Sequence, residues 1–217
     1  MRDTQEVVLL NSVTPIAVTS STDATPIVVT ATAHLLVTGD LVQINGHTTN
    51  IAANGIFKVT KVTADTYQLQ NYVTGADIAG SGAGAGSSGV MMKAPKILNV
   101  LDWRNIILSV ETSASANFTL KVAGSLGKPI VLATDKRSED TPNFGATQSA
   151  TNPYQYVQLI NLDTAAAVNG ATGITSAGTD LHTQYEVNVN GLKYFTLVIT
   201  AWSAGVLTVK ALLTDNE

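Results

Sequence analysis

Apolar and polar residues alternate along this chain with a period of two. The clearest stretch, YQYVQLINLD at 154–163, sets Tyr154, Tyr156 and Gln158 against Gln155, Val157 and Leu159. Successive side chains on a strand point to opposite faces, so such a run predicts a half-buried β-strand. Short runs rich in β-branched residues repeat the signal: EVVLL (6–10), TPIVVT (25–30), DLVQIN (40–45), GIFKVTKV (55–62) and TYQLQ (66–70). Between them lie TGD, NGH, ANG and TAD, where Gly or Asn supplies the positive φ of a turn. Few windows carry the helical period, and Thr, Val and Ser fill helices poorly. Strands recurring every 8–12 residues or so predict an all-β chain built from small sandwiches or barrels.

The pattern breaks once, at GSGAGAGSSG (80–89), which holds five glycines in ten residues. A tract with so few side chains to pack reads as a linker or long loop. Pro95 follows and favours an extended exit, because the residue before proline avoids the α region. Two units are therefore expected. Residues 1–92 form a small β-barrel or sandwich module, with the N-terminal segment as an extra strand or an arm. Residues 93–217 form a jelly-roll-like β-sandwich, with long loops at 127–153 and 164–179. WSAG (202–205), between YFTLVIT and VLTVKALL, predicts a hairpin turn.

Composition adds a property of the surface. Of 217 residues only 13% are charged, against a usual value of about a quarter, while 45% are hydrophobic. Thr, Ser, Asn, Ala and Gly take the place of charge, which suits surfaces packed against neighbours. The net charge is −4 and no basic run occurs, so nucleic acid is not an expected partner. The absence of cysteine excludes disulfides, thiol catalysis and cysteine-based zinc sites. The N-terminal MRDTQEVVLLNSVTPIAV lacks a basic segment leading into a long apolar one, and no run approaches 18 apolar residues. Neither an export signal nor a membrane span is expected.

Candidate chemistry is sparse. HLLVTGDLVQINGH (34–47) offers His34, Asp40 and His47 as metal or acid–base groups. A strand between Asp40 and His47 would hold them about 20 Å apart, so the plainer reading is a turn at Gly39–Asp40 and an exposed loop tip at His47. His182 and Glu186 have the i, i+4 spacing of a zinc helix. On a strand they share a face about 13 Å apart, too far for one ion. GAGSSG (84–89) matches a dinucleotide-binding pattern, but no helix follows to meet a pyrophosphate. TDKRSED (134–140) could bind a cation or partner through Asp135, Glu139 and Asp140, though Lys136 and Arg137 neutralise it internally. NFT (117–119) is a glycosylation sequon that fits a strand equally well. Trp103 and Trp202 could stack on a sugar, and one core and one edge position is the plainer assignment. No catalytic residue, cofactor or metal is assigned, and an enzyme is not expected.

One stretch identifies more than it catalyses. ATPIVVTATAHLLVTGDLVQINGHTTNIAANGIFKVTKVTADTYQLQ resembles a small β module common in bacteriophage structural proteins. That module is similar in fold to the β-barrel insert of ubiquitin-activating enzymes. The matching residues are His34, Leu36, Gly39, Asp40, Val42, Ile44, Gly46, Asn54, Gly55, Phe57, Val59, Tyr67 and Leu69. The family has Gly after the histidine, and this chain has Leu35. ANFTLKVAGSL and KYFTLVITAWSAGVLTVKALL more loosely resemble jelly-roll domains of phage head and tail accessory proteins. These resemblances imply a non-enzymatic virion structural protein. The specific expectation is a capsid decoration (cement) protein that binds the major capsid protein or other virion proteins and self-associates, first as a trimer. A tail, baseplate or fibre component is the alternative. A carbohydrate-binding adhesin is another, reading a glycan through loops 133–153 and 164–183 and Trp202.

Overall fold

A computed structural model of the chain describes residues 4–47, 49–72, 74–82, 89–125 and 154–215. They divide into two units: one takes 15–94, the other 4–14, 95–125 and 154–215. Among the described residues every regular element is a strand, apart from one 3-10 turn at Ile51–Ala53. The chain is all-β, as its two-residue periodicity requires.

The chain opens with β1 (Thr4–Val13), which belongs to the second unit. The first unit begins at β2 (Ile16–Val18) and continues through β3 (Ser20–Ser21), β4 (Val28–Thr30), β5 (Leu41–Asn45), β6 (Gly55–Lys61), β7 (Thr66–Gln70) and β8 (Gly89–Lys93). Its strands are ordered β2-β8-β5-β6-β7-β4-β3. The two ends of that order, β2 and β3, are separated in the chain by Thr19 alone. Consecutive Cα atoms lie about 3.8 Å apart, so the strip must curl until its ends meet. The unit is a small barrel. The Thr19 N–H donates to the Thr30 carbonyl at 2.9 Å and carries the ladder across the joint. Directly paired residues share a face, and the pairs Val42–Phe57, Val59–Leu69, Val29–Tyr67 and Ile44–Met91 are all buried. Each such side chain contributes about 1.5–3 kcal/mol on burial, which gives the barrel a core of its own.

The second unit continues with β9 (Leu98–Asn99), β10 (Asn105–Thr112), β11 (Asn117–Ser125), β12 (Tyr154–Tyr156), β13 (Leu159–Asn161), β14 (Ala167–Val168), β15 (Ile174–Ala177), β16 (His182–Asn188), β17 (Tyr194–Ala204) and β18 (Leu207–Thr214). One sheet runs β1-β18-β10-β16-β13-β14. The other runs β12-β11-β17-β9, with β15 also on β11. Strict alternation gives β10, β18 and the first half of β11 one apolar face each, whereas β17 is buried without a break from Phe195 to Ile199. Ile106, Leu108 and Val110 on β10 and Leu207, Val209, Ala211 and Leu213 on β18 are buried, as are Phe118, Leu120 and Val122 on β11. The chain changes sheet at nearly every connection, as in jelly-roll-like sandwiches.

Three expectations are corrected here. The segment expected to belong to residues 1–92 as an extra strand or arm instead pairs β1 with β18, from Thr4–Thr214 to Val13–Leu207. Local pattern predicts that this segment is a strand but carries no record of a partner some 200 residues away. The hairpin expected at WSAG does not form, because β17 and β18 lie in different sheets. The turn is real and sits around Gly205, whose φ is +90°. A Cβ there would fall on the Ala116 backbone. Ser113 clasps the corner: its N–H donates to the Val206 carbonyl at 3.1 Å and its hydroxyl accepts the Val206 N–H at 3.0 Å. The loop expected at 164–179 contains β14 and β15. Residues 83–88, within the glycine-rich tract, and 126–153, with the charged run 134–140, lie outside the described residues.

Candidate functional site

The residues from His34 to Asn54 connect β4, β5 and β6 and carry most of the recognisable motif. Gly39 (φ +101°) turns the chain back beside β6. Its N–H donates to the Val59 carbonyl at 2.9 Å, and the Val59 N–H returns a bond to the Asp40 carbonyl at 3.0 Å. The Asp40 carboxylate accepts the Val37 N–H at 3.1 Å and meets Lys93 Nζ at 3.6 Å. Asp40 is thus a turn-closing residue, and the expected turn at Gly39–Asp40 is present.

The histidines behave differently from an exposed site. His34 is 1% exposed, and its Nδ1 accepts the Leu36 N–H at 3.0 Å. The neutral ring therefore holds its proton on Nε2. Its ring stands edge-on to Tyr67 at 5.0 Å between centroids. The Tyr67 hydroxyl reaches Met91 Sδ at 3.0 Å, and burial pushes its pKa up. His47 is not at an exposed loop tip: its side chain is buried. The His47 N–H donates to Asn54 Oδ1 at 2.9 Å, and Asn54 Nδ2 donates back to the His47 carbonyl at 2.8 Å. This reciprocal pair folds the chain inward after Gly46 (φ +96°) and draws the ring out of water. Burial holds the His47 pKa below the usual imidazole range. Among the described residues, His34 Nε2, both nitrogens of His47 and the buried Gln43 amide lack a hydrogen-bond partner. No three His, Asp or Glu side chains among those residues gather as metal ligands, so His34, Asp40 and His47 are not brought together.

The remaining candidates separate in the same way. His182 and Glu186 lie on β16 opposite Glu111 and Ile107, four cross-strand pairs apart, as strand geometry requires. His182 meets the exposed Asp180 at 3.3 Å. Asn117 is exposed at the start of β11 and Phe118 is buried. Trp103 is half-buried. Trp202 lies within β17 rather than at a turn, is 4% exposed, and donates its indole N–H to the Ala204 carbonyl at 2.8 Å. It offers no free face for a sugar.

Two features were not read from the sequence. Leu35 adopts φ +54°, a left-handed conformation that L residues with a side chain avoid, and it is 84% exposed. A leucine at the position where the family has Gly was the available signal. Val37 and Val62 are also exposed. Thr38 links these segments by accepting the Lys61 N–H on its hydroxyl at 3.1 Å. The second feature is Asn50, fully buried, whose amide donates to Ser21 Oγ and the Thr22 carbonyl and accepts from the Ser81 N–H and hydroxyl. No sequence pattern marks it as a staple.

No family model matches the chain, and no curated protein does. Among solved structures, the SPBc2 prophage-derived protein YomS shares 10% identity at a TM-score of 0.37, over 57% of this chain and 81% of that one. The PBSX exported protein XepA shares 8% identity at a TM-score of 0.37, over 99% of this chain and 82% of that one. Likenesses this distant do not decide a function.

Proposed function

We propose that the chain is a bacteriophage virion structural protein, and specifically a decoration protein that reinforces the head by binding between shell subunits. The observation that carries this reading is the barrel. The residues that resemble the phage module turn and fill this barrel: Gly39 and Gly46 take positive φ, Leu36, Val42, Ile44, Phe57, Val59, Tyr67 and Leu69 are buried, and Leu35 is left-handed where the resembled module has Gly. The role is mechanical. Burying surface between subunits raises the free energy needed to separate them, and symmetry repeats each weak contact over the particle. The low charge and the exposed Leu35, Val37 and Val62 suit such contacts. Partners are the major capsid protein or other virion proteins, and further copies of this chain.

The test compares particles with and without the protein. Particles lacking it release their DNA at lower temperature and under milder salt stress, followed by dye access to DNA. Equal release from both would contradict the decoration role. Labelled antibodies that bind only the tail would move the protein to the tail, baseplate or fibre.

A further inference from the structure

The six-stranded sheet has two unequal edges. One ends in β14, which is two residues long, a common way to blunt an edge. The other ends in β1, which is ten residues long with Glu6 its one charged residue. Among the described residues, no strand pairs with the outer side of β1. Residues Thr4 to Val8 keep an unbroken register with β18, and irregularities begin only after Val8. This half of β1 thus presents a straight row of backbone donors and acceptors with no proline or lysine to repel another strand. Such an edge is a template for strand addition.

We propose that a second copy of this chain pairs antiparallel with β1 about a two-fold axis at Val7, joining the two six-stranded sheets into one. Directly opposed residues share a face, so Glu6, which lies on the face of Thr4 and Val8, can oppose only Thr4, Glu6 or Val8 of the copy within this stretch. Opposing Glu6 to itself places two like charges together. Centring on Gln5 avoids that but sets Glu6 against Thr4, in line with Thr214 of the copy; centring on Val7 avoids it and sets Glu6 of each copy against Val8 of the other, in line with a lysine. Val8 is 37% exposed and pairs directly with Lys210 of β18. Each Glu6 then falls in the same cross-strand row as the partner's Lys210, with Val8 between them. The contact is isologous, so it makes a dimer and not a threefold ring. It stands apart from the virion reading, since nothing in it depends on where the protein resides.

Charge exchange on the intact chain tests the pairing, with sedimentation velocity over a concentration series as the readout. The wild type is expected to dimerise. Val8→Asp sits beside Lys210 within its own sheet, so the fold is kept, but it faces Glu6 of the copy twice per dimer. Dimerisation is expected to weaken about tenfold. Adding Glu6→Lys to Val8→Asp restores opposite charges across the two-fold and is expected to recover dimerisation. Circular dichroism confirms that each variant remains folded. A monomeric wild type, or self-association that Val8→Asp leaves unchanged, would overturn the proposal. So would failure of the double variant to recover what the single one loses.

Discussion

The barrel and the sandwich are made of the same short, alternating strands, yet they are joined by different rules. In the barrel β5, β6 and β7 are neighbours both in the chain and in the sheet. Their turns, such as the one in which the Val62 and Thr63 N–H groups reach the Thr66 carbonyl, return the chain directly to its partner. In the sandwich β10 and β11 lie in different sheets, as do β16, β17 and β18 taken in turn, and β1 waits for β18. Local polarity finds strands in both units, but the run 154–163, the clearest alternation, divides into β12 and β13 in different sheets. Only turn chemistry reads pairing, and it does so only where the turn makes a hairpin. A corner between sheets looks the same in sequence as a hairpin, which is why WSAG misleads.

The largest expected effect separates the two kinds of turn. Gly205→Ala adds backbone strain at φ +90° and drives a Cβ into the Ala116 backbone, so the sandwich loses about 3 kcal/mol or more. Gly39→Ala carries the strain alone, since nothing lies within 4 Å of its Cβ, and the barrel loses about 1–2 kcal/mol. Urea unfolding that resolves a transition for each unit measures both. Equal losses would erase the distinction between corner and hairpin.

Asn50→Ala removes a buried amide that makes four hydrogen bonds and ties residues 21–22 to 81. The barrel transition is expected to drop by about 2–3 kcal/mol, with the sandwich transition unmoved.

Next comes the response to acid. The folded-state pKa of His47 lies below its ordinary value of 6.5, so its unfolded form binds protons first. Stability is then fully present above pH 6.5 and declines as pH falls below it toward the folded pKa. Thermal melts from pH 7.5 to 5 are expected to show the barrel losing stability in this window. Replacing His47 with Gln should flatten that loss.

The smallest effect is a gain. Leu35→Gly relieves the left-handed strain without removing a buried side chain, and raises barrel stability by up to about 1 kcal/mol. The same variant removes an exposed apolar side chain, so under the proposed decoration role stability is expected to rise while binding to particles weakens.

How much was legible follows from these residues. The all-β class, the turn at Gly39–Asp40 and the separation of His182 from Glu186 follow from strand geometry alone. The burial of His34 and His47 does not, because it depends on a ring seated against Tyr67 and on the Asn54 clasp, neither of which has a fixed spacing. Trp202 reads as a turn residue because it opens WSAG, while β17 in fact continues to Ala204. The first strand is legible as a strand and illegible as to partner.

The stoichiometry of the protein in purified virions tests the proposed role most directly. Quantitative mass spectrometry should find it in fixed proportion to the major capsid protein, as a head-covering protein requires. A few copies per particle, or none, would contradict a decoration role.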